Sequence, residues 1–294
     1  MLVRVMPAVF VLIWSTGFIV AKFGMPHGPP MKFLALRYLL SVLCFLVWAF
    51  AARAAWPVRR SEYGHLAIVG VLIHAGYLGG VWAAVKLGMG AGLAALLVGL
   101  QPVLTAVWVS SRGGQVSARQ WGGLALGFGG LALVVWEKLG IGEINTPNLL
   151  LAGMALLSIT AGTLYQKRFV VPCDVRTANL VQLTAAFAVT LPLALLIETE
   201  AMRWTLAGGV INWELTGAMA WSVLVLTLGG SSLLYLLIQR GAATAVTSLL
   251  YLVPPCTAIL AWLLFNEPIT VLIVLGMALT AAGVSLVVRS PPTR

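Results

Sequence analysis

Charge is what this sequence has least of: only 9% of its 294 residues are Asp, Glu, Lys or Arg, against about a quarter in a soluble domain. So few charges cannot cover a water-facing surface, and a soluble globular fold is excluded. Acid is scarcer still. Asp174 is the single aspartate, which excludes an intramembrane aspartyl pair. The three cysteines, Cys44, Cys173 and Cys256, make no disulfide framework, since two lie in apolar runs and the third in a loop expected to face the reducing cytoplasm. No lysine follows a glycine, so the Gly-Lys pair of a phosphate-binding loop is missing and no ATPase chemistry is expected. His27, His65 and His74 lack metal-ligand spacing. Neither a metal nor a cofactor is expected.

What the chain has in abundance is uncharged length. Ten stretches of 15 residues or more carry no Asp, Glu, Lys or Arg: 5–21, 38–52, 63–85, 87–111, 120–136, 144–166, 177–197, 215–239, 241–266 and 268–288. A bilayer-spanning helix needs about 20 apolar residues. In lipid every backbone group must be paired within the protein, which makes these runs helices. They are too long and too uniformly apolar for outer-membrane barrel strands, which run about 10 residues with alternating polarity. The expected fold is an all-α membrane protein with ten transmembrane helices. The first run follows Arg4 and resembles a signal peptide, but no small-x-small cleavage site follows it, so it is read as the first span.

The sidedness of the few charges predicts topology. With a cytoplasmic N-terminus and alternating spans, 12 of the 18 basic residues fall on the cytoplasmic side, among them Arg53, Arg59, Arg60, Lys167 and Arg168. Six of the eight acidic residues, Glu137, Glu143, Glu198, Glu200, Glu214 and Glu267, fall on the other. The positive-inside rule then puts both termini in the cytoplasm of a cell with this protein in its inner membrane. The net charge of +10 is accordingly a topology signal, and no nucleic-acid partner is expected. The expected partners are the lipid bilayer and a small-molecule substrate, with the chain a monomer or a homodimer.

The chain also repeats. An offset of 153 superimposes Gly88 on Gly241, Pro102 on Pro255, Gly123 on Gly276 and Gly130 on Gly283; an offset of 145 superimposes Ser15 on Thr160, Gly17 on Gly162 and Lys22 on Lys167. Residues 1–145 and 146–294 are thus expected to be two five-helix units. Five is odd, so the second unit enters the membrane inverted, an arrangement typical of secondary transporters with a midplane site between the halves. Gly76-xxx-Gly80 and Gly123-xxx-Gly127 would allow close helix contact. Pro102, Pro254 and Pro255 read as mid-span prolines that free a carbonyl one turn earlier and form a paired pivot.

Taken in order, Trp14-Ser15-Thr16-Gly17, Pro30 followed by Arg37, Gly88 and Gly241, Pro102 and Pro255, Glu267, and the glycines of the fifth and tenth runs resemble the drug/metabolite transporter superfamily, EamA-type branch. The resemblance covers essentially the whole chain. It implies a ten-helix carrier of small organic metabolites, often an exporter, with a central cavity built from spans 1, 3, 4, 6, 8 and 9. One departure is visible: Glu267 has no counterpart in the first half, where Arg112-Gly113 stands.

Polar and aromatic residues at depth in those spans are the candidate binding set: Trp14, Ser15, His74, Tyr77, Gln101, Thr160, Ser231, Tyr235 and Tyr251. The competing reading for each hydroxyl is a bond to its own helix backbone, and for His74 a neutral ring bonded to a neighbouring helix. Lys22 and Lys86 are expected near the outer ends, guarding an entrance with Glu267. Trp82, Trp108 and Trp136 read as interface anchors, and Arg37 as a snorkelling or paired side chain. Because no carboxylate lies within the ten cores, carboxylate-coupled symport is disfavoured, leaving His74 the one deep titratable candidate. The expected function is secondary transport of a small organic metabolite, an amino acid or related compound, with export the favoured direction. The alternative is a membrane-embedded enzyme, built on Ser231 and His74, or a non-transporting subunit of a larger complex. A channel lacks its charged ring or filter motif.

Overall fold

In a computed structural model, which describes residues 2–111, 117–140, 143–239 and 252–288, the charge-free runs form helices. They are α1 (Leu2–Gly24), α2 (Pro30–Ala51), α3 (Arg60–Lys86), α4 in two pieces (Ala91–Val98 and Gln101–Ser111), α5 (Ala118–Gly140), α6 (Thr146–Phe169), α7 (Val175–Ile197), α8 (213–239), α9 (Val253–Phe265) and α10 (Val271–Val288). Six of them, α1, α2, α3, α6, α7 and α8, are long and apolar enough to cross a membrane by length and composition; among the described residues α4, α5, α9 and α10 contribute the shorter apolar segments Ala91–Thr105, Trp121–Glu137, Val253–Phe265 and Val271–Gly283. The protein is an all-α membrane protein built as two inverted five-helix repeats. Gly241, Thr244, Thr247, Ser248 and Tyr251 lie outside the described residues.

The offsets found in the sequence carry through to the helices. Adding 153 to the bounds of α3 returns 213–239, the bounds of α8, and adding 145 to the start of α2 returns Val175, the start of α7. Both α3 and α8 widen midway into a π-helix, at Val71–Leu78 and Ser222–Ser231. A π turn shifts the backbone hydrogen-bond pattern from i→i+4 to i→i+5, and the disturbed groups need partners where water is absent. Here Ser158 of α6 donates to the Leu72 carbonyl at 2.8 Å, Tyr38 of α2 donates to the His74 carbonyl at 2.8 Å, and the Thr227 hydroxyl donates to the Ser222 carbonyl at 2.8 Å.

Pro102 lies inside its run, just after the break that divides α4. Pro102 is the second residue of the Gln101–Ser111 piece, and Pro254 and Pro255 open the described part of α9. In a first turn the missing N–H has no helical acceptor to lose. The break in α4, at Gly99 and Leu100, and the start of α9, at Val253, correspond under the offset of 153. Pro254 packs on Gly99: a Cβ added there would come within 3.0 Å of the proline ring.

Small residues set the close crossings. A Cβ on Gly80 would meet the Leu151 carbonyl of α6 at 2.7 Å, and one on Gly130 would sit 2.7 Å from the Thr280 amide of α10. The turn after α3 needs glycine for a different reason. Gly88 has φ +96°, where a side chain is strained; its N–H reaches the Val85 carbonyl and the Met89 N–H the Ala84 carbonyl, at 3.0 and 3.1 Å, a Schellman closure.

At the opposite end, Asp174 caps α7. It accepts from the Arg176 N–H at 2.9 Å and is held by the Arg176 guanidinium at 2.9 and 2.8 Å. These bonds hold the Asp174 carboxyl below the usual carboxylate range. A depressed folded pKa contributes stability above the unfolded value of about 3.9 that is lost as pH falls through the folded one. Asp174→Ala should therefore cost about 1 kcal/mol at neutral pH, read as a lower thermal midpoint in detergent. The gap to wild type should close at acid pH; a gap independent of pH would show that the cap contributes nothing through its charge.

Candidate functional site

Between the halves lies a cavity holding about 510 Å³ of space, its open mouth included. Its walls are Trp14, Gly17 and Phe18 of α1, Arg37 of α2, Ile73, His74, Tyr77, Leu78, Val81 and Trp82 of α3, and Leu226 and Ser231 of α8. Most of the polar wall comes from the two π segments, for a local reason: an extra residue per turn moves side chains off the straight-helix stripe and turns them inward.

Four of the expected binding residues meet here: Trp14, His74, Tyr77 and Ser231. Others are placed elsewhere. Ser15 is fully buried and donates to the Val11 carbonyl at 2.7 Å; Thr160 donates to the Leu156 carbonyl at 2.7 Å. Both spend their hydroxyls on their own helix. The Gln101 amide donates to Thr163 Oγ1 at 2.9 Å, tying α4 to α6. The Tyr235 hydroxyl accepts from the Cys173 N–H at 3.0 Å, at the α6–α7 loop and away from the cavity. Tyr251 is outside the described residues.

Two residues read differently in the sequence belong to this wall. Arg37 neither snorkels nor forms an ion pair. Its side chain is buried, with 5% of the residue exposed, and its Nε donates to Thr227 Oγ1 on α8 at 3.1 Å. Trp82 is not an interface anchor; it is 1% exposed and stacks on Phe33 with ring centroids 4.5 Å apart. Trp108 and Trp136, by contrast, are exposed.

Arg37 and Thr227 also have repeat-related counterparts. The offset of 145 takes Arg37 to Gln182, and that of 153 takes His74 to Thr227. Gln182 is buried on α7, which packs against the π segment of α3, while Arg37 lies on α2, which packs against that of α8. A signal for these contacts was present in the sequence: applying the offsets to polar residues, not only to glycine and proline, pairs all four.

The end of the molecule bearing the α1–α2, α3–α4, α7–α8 and α9–α10 connections is tied by charge. Lys22 forms an ion pair with Glu267, whose carboxylate also accepts the Ala91 N–H at 3.1 Å. Lys86 donates to the Met25 carbonyl at 3.1 Å and to Glu200 at 3.3 Å. Glu198 accepts the Met31 and Lys32 N–H groups, each at 2.8 Å, a carboxylate at a helix N-terminus. His27 meets Glu214 at 2.6 Å. Of the charges expected to guard an entrance, Lys22 and Glu267 are thus paired with each other, while Lys86 is engaged with Glu200 and the Met25 carbonyl.

Comparison with known proteins follows the same outline. The pattern of the EamA-like transporter family matches residues 5–136 and again 146–289. The chain is 25% identical over 287 residues to a protein of Bacillus subtilis named uncharacterized transporter YvbV, covering 95% of this chain and 89% of that one. It is 26% identical over 278 residues to a probable amino-acid metabolite efflux pump of Salmonella typhimurium, covering 93% and 90%. A solved crystal structure superimposes with a TM-score of 0.68 over 96% of both chains at 16% identity, a likeness of fold.

Proposed function

This chain belongs to the EamA-like transporter family, and from that membership we propose that it is a secondary carrier of a small organic metabolite, an amino acid or a related compound, working in the export direction. The two inverted halves rock about the cavity between them, exposing it to one side of a cell's inner membrane and then to the other, with both termini cytoplasmic. The observation that carries this reading is the wall itself. Residues of both halves, from α1, α2 and α3 and from α8, close around one space at the π segments, so relative motion of the halves changes access to it. The relative named as an amino-acid metabolite efflux pump supports the choice of substrate and direction.

Trp14, His74, Tyr77 and Ser231 are the binding residues in this proposal. Lys22, Lys86 and Glu267 are the gate, with Pro102, Pro254 and Pro255 at the helix breaks on which it pivots. The purified protein in liposomes should exchange an amino acid or related metabolite across the membrane without ATP. A broad panel of such solutes showing neither net flux nor counterflow would overturn the carrier reading and leave the membrane-enzyme or subunit alternative.

A further inference from the structure

An arginine inside a membrane protein without an acidic partner calls for an explanation. Desolvating a guanidinium costs several kcal/mol unless a counter-charge or full hydrogen bonding compensates. Among the described residues, Arg37 receives one side-chain partner, the neutral hydroxyl of Thr227 at its Nε. That leaves the two terminal nitrogens of the fork without an acceptor among the described residues, on a residue that is 5% exposed and lines the cavity. The eight carboxylates of the chain all lie outside the charge-free cores, and Glu198, Glu200, Glu214 and Glu267 at the tied end are engaged with lysine, histidine or backbone N–H groups. A counter-charge for Arg37 therefore has to come from what enters the cavity.

We infer that Arg37 is the anchor for a carboxylate on the transported solute, which sets the substrate class as monocarboxylates with an apolar or aromatic body. This rests on the carrier reading above and deepens it. The geometry suits the task. Thr227 fixes the guanidinium through Nε, and a guanidinium held in that way presents its remaining N–H groups as a planar fork that a carboxylate matches with two parallel bonds. Trp14, Phe18, Tyr77 and Trp82 share the wall with it, an apolar and aromatic lining for an apolar body. Their faces also attract an ammonium group, so an amino acid is accommodated without an acidic residue in the wall. A single arginine matches one carboxylate, and a polyanion would find no second cation in this wall.

The repeat makes the same point. At the related position the second half carries Gln182, a neutral side chain. A bond from α2 to the Thr227 hydroxyl needs only a donor, which a neutral amide also supplies. The charge on Arg37 is surplus to that bond.

The experiment is counterflow in liposomes, with thermal stabilisation in detergent as a second readout, using L-leucine, L-phenylalanine, 3-phenylpropionate and the amides of the two amino acids. Wild type should favour the acids over their amides by about thirtyfold or more, the ratio expected when one partner of a desolvated charge pair is removed. Arg37→Gln, which installs the side chain of the other half, should erase that preference while the amides are handled as before. Arg37→Lys should restore part of it. Amides and acids handled alike by wild type would overturn the anchor and leave the carrier reading intact. A panel in which no solute moves or stabilises the protein overturns the carrier reading and the anchor with it. The wild-type comparison needs no variant, so an Arg37→Gln protein that fails to fold leaves the test decisive.

Discussion

Replacing Gly130 with leucine is expected to abolish the folded protein, whereas the same change one residue earlier should be tolerated. Helices α5 and α10 cross at glycines related by the repeat. A Cβ on Gly130 would press on the Gly276 carbonyl and lie 2.7 Å from the Thr280 amide, while a Cβ on Gly283 would press on Gly123 and lie 3.0 Å from Gly127 Cα. The obstacles are backbone atoms, so no rotamer change relieves them and the helices must separate. In lipid that forfeits the close van der Waals packing that drives helix association. Overpacking of a flexible core costs about 1–3 kcal/mol; against backbone on both faces of a crossing the cost should exceed about 3 kcal/mol. Gly129 is the control, since a Cβ there meets nothing within 4 Å. Size-exclusion profiles and thermal midpoints of Gly130→Leu and Gly129→Leu should diverge sharply. Indistinguishable profiles would mean that this crossing is not tight.

The second large effect is expected at Glu267. Its carboxylate pairs with Lys22 of α1 and accepts the N–H that opens α4, and the residue is 8% exposed. Glu267→Gln keeps an oxygen for Ala91 but removes the charge facing Lys22. The ion pair is partly solvated on the lysine side, with 31% of that side chain exposed, so its net contribution is roughly 1–2 kcal/mol. If the pair holds this end of the protein closed, the variant should open it about fivefold to thirtyfold more often. The readout is the alkylation rate of a cysteine placed at Val81, a wall residue 2% exposed, with Cys44, Cys173 and Cys256 replaced by serine. Lys22→Met should act in the same direction. Unchanged rates in both variants would remove the pair from the gate.

The first half has no equivalent of this pair. Under the repeat Lys22 corresponds to Lys167, but Glu267 corresponds to Gly114. The tied end therefore depends on a helix-to-helix ion pair, whereas the described residues of the other end show the Asp174–Arg176 pair, local to α7; salt should act chiefly on one side of the membrane.

Much of the fold was legible because its cause is local. The charge-free runs mark the helices, and the glycines at 123, 130, 276 and 283 that reveal the repeat are the ones that make the α5–α10 crossing. The wall of the cavity was legible only in part. Ser15 and Thr160 were read as lining it because they are polar and deep, but a helical hydroxyl can donate to the carbonyl one turn back, so polarity does not reveal direction. Arg37 and Trp82 were misread because each sits near the end of its run, where snorkelling and interface anchoring are the ordinary fates. The π segments of α3 and α8 were not legible, since they follow from contacts such as those of Ser158 and Tyr38 with freed carbonyls on another helix.

By itself, then, the sequence determined that the chain lives in lipid, how many times it crosses and that its halves are inverted copies. Transfer into a bilayer is a sum over a short run of residues, and a repeat is a relation within one string. Tertiary structure alone decided which side chains share a cavity, that an unpaired arginine faces it and which charges tie one end. Those outcomes depend on the rotation of each helix about its own axis, which is set by close packing among residues tens to hundreds of positions apart.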